Sequence, residues 1–217
     1  MTKSLIFILG LCITILTCFG QSTKEVHVPT FADKYSQFVK QLESGQIEIN
    51  YREFRESFIE SEQFKIAARK SNVFDSLKNK MYALMDTKNY PEIINVTKEM
   101  LSINYTSMLA HKILRQTYSI VGDTINATKY KSIQFGLLNS IVKSGNGKTC
   151  ASAWSVVQIS EEYFILDMLG VELLKQSTDN SGGVCDKMEV KTEEGDRKIY
   201  YFETSKVFEG YKKLGMK

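Results

Sequence analysis

The sequence predicts an α+β protein, with helices first and an antiparallel sheet last. Over residues 31–142, apolar side chains recur every three or four positions, which is the period of an amphipathic helix. Over residues 153–204, short runs rich in Val, Ile, Tyr and Phe are separated mostly by turns, which is typical of a β-meander. The loop at 144–149 marks the change of pattern. We therefore predict a single α+β domain over residues 31–217.

The N-terminus has the pattern of an export signal. Lys3 precedes an uncharged apolar run at residues 5–16. This run has the length of a signal-peptide core and is shorter than the roughly 20 residues that a membrane-spanning helix needs. We predict cleavage after Gly20, so that residues 1–20 are a signal peptide and residues 21–30 an N-terminal extension of the domain.

Cys18 leaves a second interpretation of this segment open. In a lipoprotein, Cys18 would be lipidated and would become the first residue of the mature chain, which would then be tethered to a membrane. Thr17 stands directly before it, where lipoprotein signals usually have Gly, Ala or Ser. Both interpretations predict an exported protein, periplasmic or extracellular, with no integral membrane span in the mature chain.

The composition argues against several kinds of ligand. The chain has 28 Lys and Arg against 25 Asp and Glu, and removal of residues 1–20 takes away only Lys3, so the mature net charge is +2. The sequence has no basic stripe interleaved with aromatic residues, so we do not expect a nucleic-acid partner. It also lacks a cofactor motif and the Cys and His spacing of a zinc site, so we expect neither a cofactor nor a metal.

Three amphipathic helices are predicted in the first part of the domain. The first covers residues 31–44, with Thr30 and Asp33 in the positions of a capping box. Asn50 opens the second helix and Asn72 the third. The second region is dense in aromatic residues, which could line a sugar or peptide surface, but their helical spacing favours core packing. These residues are Tyr51, Phe54, Phe58 and Phe64.

Residues 89–142 predict three further helices, the first two of them antiparallel. Helices start at Asn89 and at Gly122, with a break near Asn104. The starts lie about 34 residues apart, which is the period of tetratricopeptide helix pairs. The likeness rests on spacing and size, because the Trp and the Leu-Gly pair of the strong signature are missing. Since about three repeats make a free-standing solenoid, we expect these helices to pack on earlier helices or on the sheet.

The last third predicts a series of short strands. Turns that contain Gly, Asn or Asp separate most of them. The predicted strands are 153–159, 163–168, 171–176, 184–191 and 198–203.

Cys150 and Cys185 are the two cysteines that remain after cleavage of the signal. Two thiols in an oxidising compartment can pair, and a meander could bring the entrance of the sheet close to a later strand. We predict that they lie close enough to form a disulfide. In the alternative interpretation Cys185 is a small core residue and Cys150 is unpaired.

The remaining candidates for a site are a histidine and three carboxylates. His111 is in step with Leu114 and Tyr118, which favours a hydrogen-bonded core histidine over a catalytic base. Glu161 and Glu162 would point to opposite faces of an extended segment, so we expect one to face solvent. The other would turn inward to Arg52 or Arg55 in a structural ion pair. The third carboxylate is Asp186.

Five short elements occur in an order that resembles a known family. They are Tyr51-Arg52-Glu53-Phe54-Arg55, Ala110-His111, Ser144-Gly145-Asn146-Gly147, Glu161-Glu162-Tyr163 and Cys185-Asp186. Over roughly residues 45 to 210, the chain resembles a family of exported bacterial proteins that is catalogued only as a domain of unknown function. The resemblance implies an exported protein with an α+β domain, and it implies no activity.

Two functions remain open from the sequence. The missing catalytic constellation and the repeat-like helices favour a non-enzymatic binding or protein-interaction module of the bacterial cell envelope. The alternative is an envelope hydrolase with a site assembled from His111, Glu161, Glu162 and Asp186. A deep pocket that encloses His111 and at least two of these carboxylates would favour the enzyme.

Overall fold

Helices occupy most of the chain up to residue 142 in the computed structural model, which describes residues 24–215. The predicted signal peptide, its cleavage site and Cys18 lie outside the described residues. The first seven helices are α1 Lys34–Glu43, α2 Tyr51–Glu60, α3 Glu62–Arg69, α4 Ser71–Asp86, α5 Tyr90–Ile103, α6 Met108–Ile120 and α7 Thr124–Val142.

The C-terminal part contains the sheet and two more helices. After a short 3-10 helix, Cys150–Ser152, its elements are β1 Trp154–Ser155, α8 Ile159–Met168, β2 Glu172–Asp179, β3 Cys185–Lys191, β4 Arg197–Glu203 and α9 Ser205–Lys213. The predicted α+β fold class is confirmed, with helices mainly first and the sheet last.

Side chains cap several helices near the predicted starts. The Asn50 side chain accepts a hydrogen bond from the backbone N–H of Glu53 at the start of α2. The Asp33 carboxylate accepts from the N–H of Ser36, so α1 begins after Asp33 and not at residue 31. Such caps satisfy N–H groups that have no partner within the first turn.

The helices of the 89–142 region pack on neighbours, as expected. α5 lies between α4 and α6, and α7 packs along α6 and against α2. The described core joins these helices to the sheet through residues such as Phe54, Leu137 and Phe202. The likeness to tetratricopeptide pairs stays a prediction. Within residues 24–215, no helix is both long and apolar enough to cross a membrane.

The sheet has four strands in the order β1-β4-β3-β2. Strands β2, β3 and β4 form the predicted antiparallel meander, with Cys185 opposite Glu203 and Lys191 opposite Arg197. The two-residue strand β1 lies parallel to β4 and makes the sheet mixed.

Two of the predicted strands are wrong in whole or in part. Residues 163–168 belong to helix α8, and of residues 153–159 only Trp154–Ser155 form a strand. The consecutive residues Phe164, Ile165 and Leu166 are all buried, and such a short apolar run fits a buried helix as well as a strand. Gly170, with φ of 64°, follows the end of α8 in the left-handed conformation typical of a helix C-terminus.

Helices α3 and α9 are absent from the sequence-based prediction. α3 has eight residues and α9 has nine, so each offers only two turns of periodic pattern. Both border the cleft described below.

Candidate functional site

An ion pair between Arg55 and Glu161 lies in the interior of the protein. Arg55 Nε donates to Glu161 Oε1 at 2.8 Å and Arg55 Nη2 donates to Glu161 Oε2 at 2.6 Å. Each side chain is 3% exposed. The parallel contacts are the bidentate arrangement in which a guanidinium binds a carboxylate most strongly. Glu161 therefore contacts one of the two arginines that the sequence suggested.

The same two side chains hold four elements together. Arg55 Nη1 donates to Ser140 Oγ of α7 at 3.2 Å, and Nη2 donates to the Ser155 carbonyl of β1 at 3.1 Å. Glu161 Oε2 also accepts the N–H of Val157 at 2.8 Å. The pair thus connects α2, α7, β1 and the first turn of α8, which is a structural role.

Tyr51, one turn before Arg55, fixes α2 against α7. A Cβ atom at Gly136 would lie 2.3 Å from the Tyr51 ring, so a residue with a side chain cannot occupy this position without displacing Tyr51. The Tyr51 hydroxyl donates to the Ile47 carbonyl at 2.8 Å, and burial raises the pKa of Tyr51 to about 12. The Tyr-x-x-Phe-Arg element therefore serves packing and the ion pair.

Glu162 is fully buried, and neither of its carboxylate oxygens has a hydrogen-bond partner among the described residues. Burial, followed by the negative charges of Asp186 and Glu161, raises the pKa of Glu162 to about 8. The prediction that one of the two glutamates faces solvent is wrong. Its premise was an extended segment, whereas the segment is a helix packed into the core, on which both glutamates are buried.

Asp186 lies close to Glu162 and is itself buried. Its Oδ2 accepts from Gln176 Nε2 at 2.7 Å, and Gln176 Oε1 accepts from the Tyr163 hydroxyl at 2.9 Å. Burial raises the pKa of Tyr211 on α9, and the negative charges of Glu162 and Asp186 add to this effect. Tyr211 therefore lies near enough to both carboxylates to be affected by their charge.

His111 sits in a different environment, among aromatic rings. Its Nε2 lies 2.7 Å from the Tyr105 carbonyl, and its ring contacts those of Tyr105 and Tyr130 at centroid distances of 5.0 and 5.7 Å. Burial is the main cause that lowers the pKa of His111 to about 3, so the ring is neutral at ordinary pH and Nε2–H donates to the carbonyl. These contacts do not include Glu161, Glu162 or Asp186.

Cys150 and Cys185 are paired in the structure. Their Cα atoms are 5.7 Å apart, within the range of disulfides. The pair connects the 3-10 helix after the glycine-rich loop to the first residue of β3, beside the partly buried ring of Tyr201. Formation of the bond in the isolated protein stays a prediction.

We expect the purified, non-reduced protein to contain no titratable thiol at positions 150 and 185. Closure of this 35-residue span should stabilise the fold by about 3–4 kcal/mol on the chain-entropy relation. Thiol titration in denaturant tests the first statement, and urea unfolding of C150S/C185S tests the second. Two free thiols in protein isolated without reductant would contradict the prediction.

An apolar cleft of about 450 Å³ lies between α3–α4 and α9, and we call it the aromatic cleft. Its polar floor is formed by Asn104 and Gln158, whose side-chain amides are joined at 2.7 Å. Gln158 Nε2 also donates to Thr106 Oγ1 at 2.8 Å, which holds the floor in place. The apolar walls include Phe58, Phe64, Phe74, Ile103, Val157 and Val207.

Only part of this cleft could be recognised in the sequence. The aromatic density at residues 51–64 was a signal, but only Phe58 and Phe64 of that group line the cleft. Phe54 is buried in the core, and Tyr51 packs on Gly136. The opposite wall carries Tyr211 and Val207, which no periodic pattern singled out. Within residues 24–215, no group of three or more His, Cys, Asp or Glu side chains could hold a metal.

Comparison with known proteins identifies a family over most of the chain. Residues 31–213 match the family described as "Domain of unknown function (DUF4919)". No curated protein and no solved structure matches the chain.

Proposed function

We propose that this chain, which belongs to the DUF4919 family, is an exported binding module of the bacterial cell envelope that takes its ligand in the aromatic cleft. The cleft itself carries the proposal. Sites for small molecules are concave, mostly apolar and about 300–1,000 Å³ in volume, with a few polar groups that orient the ligand. The cleft has a volume of about 450 Å³ and two hydrogen-bonded amides at its floor, and so fits this description.

The fold leaves several aromatic rings of the cleft only partly covered. Phe64 and Phe74 are only partly buried, and Tyr211 is 36% exposed. A ligand in the cleft would remove these rings from water, at about 25 cal/mol for each Å² of apolar surface buried. The cleft thus offers apolar surface that the fold leaves uncovered.

Export is part of the proposal and rests on the N-terminal sequence. The signal-like run at residues 5–16 supports it, as does the proximity of Cys150 and Cys185, because structural disulfides persist in oxidising compartments. A soluble mature protein that begins at Gln21 is preferred to a lipoprotein tethered through Cys18, because Thr17 departs from the usual lipoprotein pattern.

The envelope hydrolase has less support. It would require His111 beside the carboxylates, whereas the His111 ring is held at the Tyr105 carbonyl. Glu161 is occupied by Arg55, and Glu162 is sealed from solvent. We therefore propose no reaction for these residues.

Filling the cleft should block binding. Ala68 lines the cleft and is partly exposed, so A68W places an indole there without burying it in the core. We expect the wild-type protein to bind the neutral apolar dye N-phenyl-1-naphthylamine saturably, with a rise in dye fluorescence. A68W should weaken this binding about tenfold or more, which corresponds to about 1.4 kcal/mol.

The matched control is A83W, at an exposed position on α4 that does not line the cleft. It should leave dye binding unchanged, and thermal unfolding of both variants should show that the fold persists. Equal dye binding by wild type and a folded A68W would place the dye elsewhere and would overturn the proposed site.

A further inference from the structure

The walls of the aromatic cleft carry an excess of positive charge. Residues 62–80 and 205–213 contain eight Lys and Arg but only three Asp and Glu, and when the glutamates paired with Lys80 and Lys213 are counted too, the net charge is +3, as large as that of the complete sequence. Such a local excess attracts anions and repels cations. From this asymmetry, and resting on the proposed function, we infer that the cleft binds a monomeric single-chain anionic amphiphile.

Ion pairs already satisfy the acidic residues of the walls. Glu62, Asp75 and Glu209 each contact a lysine three residues away on the same helix, at 2.8 to 2.9 Å. Lys80 and Lys213 pair with glutamates of α5 and α2. Negative charge on the walls is therefore neutralised locally.

Three cations that are chain neighbours of lining residues remain without an ion-pair partner among the described residues. They are Arg69, Lys70 and Lys212, and all three are exposed. Arg69 and Lys70 lie between the lining residues Ala68 and Ser71, and Lys212 follows the lining residue Tyr211. Two unpaired cations thus adjoin the lining residues of one wall and one adjoins those of the opposite wall, which favours an anionic head group on the ligand.

The apolar part of the ligand should be an acyl chain. The walls are mainly helices, whose backbone N–H and C=O groups bond within each helix. An extended peptide laid in the cleft would find few backbone partners, and each unpaired amide would be costly to bury. An acyl chain has no polar group to satisfy, and the removal of each CH₂ from water favours binding.

The test uses three amphiphiles with the same dodecyl chain and different head groups, each below its micelle-forming concentration. They are dodecanoate, dodecyltrimethylammonium and dodecyl maltoside, measured by calorimetry and by displacement of N-phenyl-1-naphthylamine. We expect dodecanoate to bind about tenfold more tightly than dodecyltrimethylammonium, because the three unpaired cations attract a carboxylate and repel an ammonium group. This preference should shrink as salt is raised to about 1 M.

The three unpaired cations are tested with R69A/K70A/K212A. This variant should lose most of the preference for dodecanoate and should keep its affinity for dodecyl maltoside. The matched control is K40A/K131A/K148A, at three exposed lysines outside the two walls, which should keep the preference.

The outcomes separate this inference from the proposed function. Equal binding of all three amphiphiles, lost in A68W, would overturn the anionic preference and leave the binding site intact. Failure of every amphiphile and of the neutral dye to bind would overturn the site itself. Binding to anionic phospholipid vesicles without binding of monomeric dodecanoate would show a membrane surface as the ligand and would overturn the inference.

Discussion

Replacement of Arg55 by methionine is expected to lower the free energy of unfolding by about 3–5 kcal/mol. The change leaves the Glu161 carboxylate buried without its cation, and it also removes the contacts of Arg55 to Ser140 and to the Ser155 carbonyl. A buried charge without a partner is far more costly than a lost surface contact. Urea unfolding at neutral pH, followed by circular dichroism, measures the difference.

Arg52 provides the matched control on the same helix. It forms an exposed ion pair with Glu56 at 3.0 Å, a type of contact worth about 0.3–0.5 kcal/mol, so R52M should change stability by no more than that. The double variant R55M/E161L should recover part of the loss, because it buries no lone charge. A cost for R55M no larger than that for R52M would contradict the structural role of the pair.

The sequence predicted some helices and one partner of the buried ion pair, and it failed at other elements. The helices were predicted well where a capping residue and several apolar turns coincide, as in α2 after Asn50 and α5 after Asn89. The prediction failed where three consecutive apolar residues are buried, as at 164–166, because such a short run fits a helix as well as a strand. The inward turn of Glu161 could be anticipated because a buried carboxylate needs a cation.

The aromatic cleft could not be predicted from the sequence. Its walls come from α3–α4 and from α9, and its floor from Asn104 and Gln158, which are 54 residues apart in the chain. Local periodicity carries no information on which surfaces meet over such separations. The burial of Glu162 was missed for a related reason, since it depends on residues 159–168 forming a helix packed into the core and not an extended segment.

Glu162→Gln is expected to stabilise the protein increasingly as the pH rises from about 5 to about 8. In the folded protein, burial and the charge of Asp186 raise the pKa of Glu162 to about 8, against an ordinary value of 4.5. Between these two values the unfolded chain has released the proton and the folded chain has kept it. The free energy of unfolding of the wild type should therefore fall as the pH rises, by up to about 1.4 kcal/mol per pH unit.

The amide of E162Q has no proton to lose in this range, so its free energy of unfolding should not show this decrease with pH. We expect the two proteins to be similar in stability near pH 5 and to differ by several kcal/mol near pH 8, as measured by urea unfolding at intervals of one pH unit. E172Q, at an exposed position at the start of β2, removes the same charge without the burial and controls for the change in net charge. Because Glu162 has no hydrogen-bond partner among residues 24–215, an ionised carboxylate at this position should also loosen the packing around it, including that of Tyr211 on α9. Faster amide hydrogen exchange in α9 of the wild type above pH 8, relative to E162Q at the same pH, would show this loosening. The prediction is refuted if the difference in free energy of unfolding between wild type and E162Q stays constant from pH 5 to pH 9. A constant difference would show that Glu162 is ionised in the folded protein.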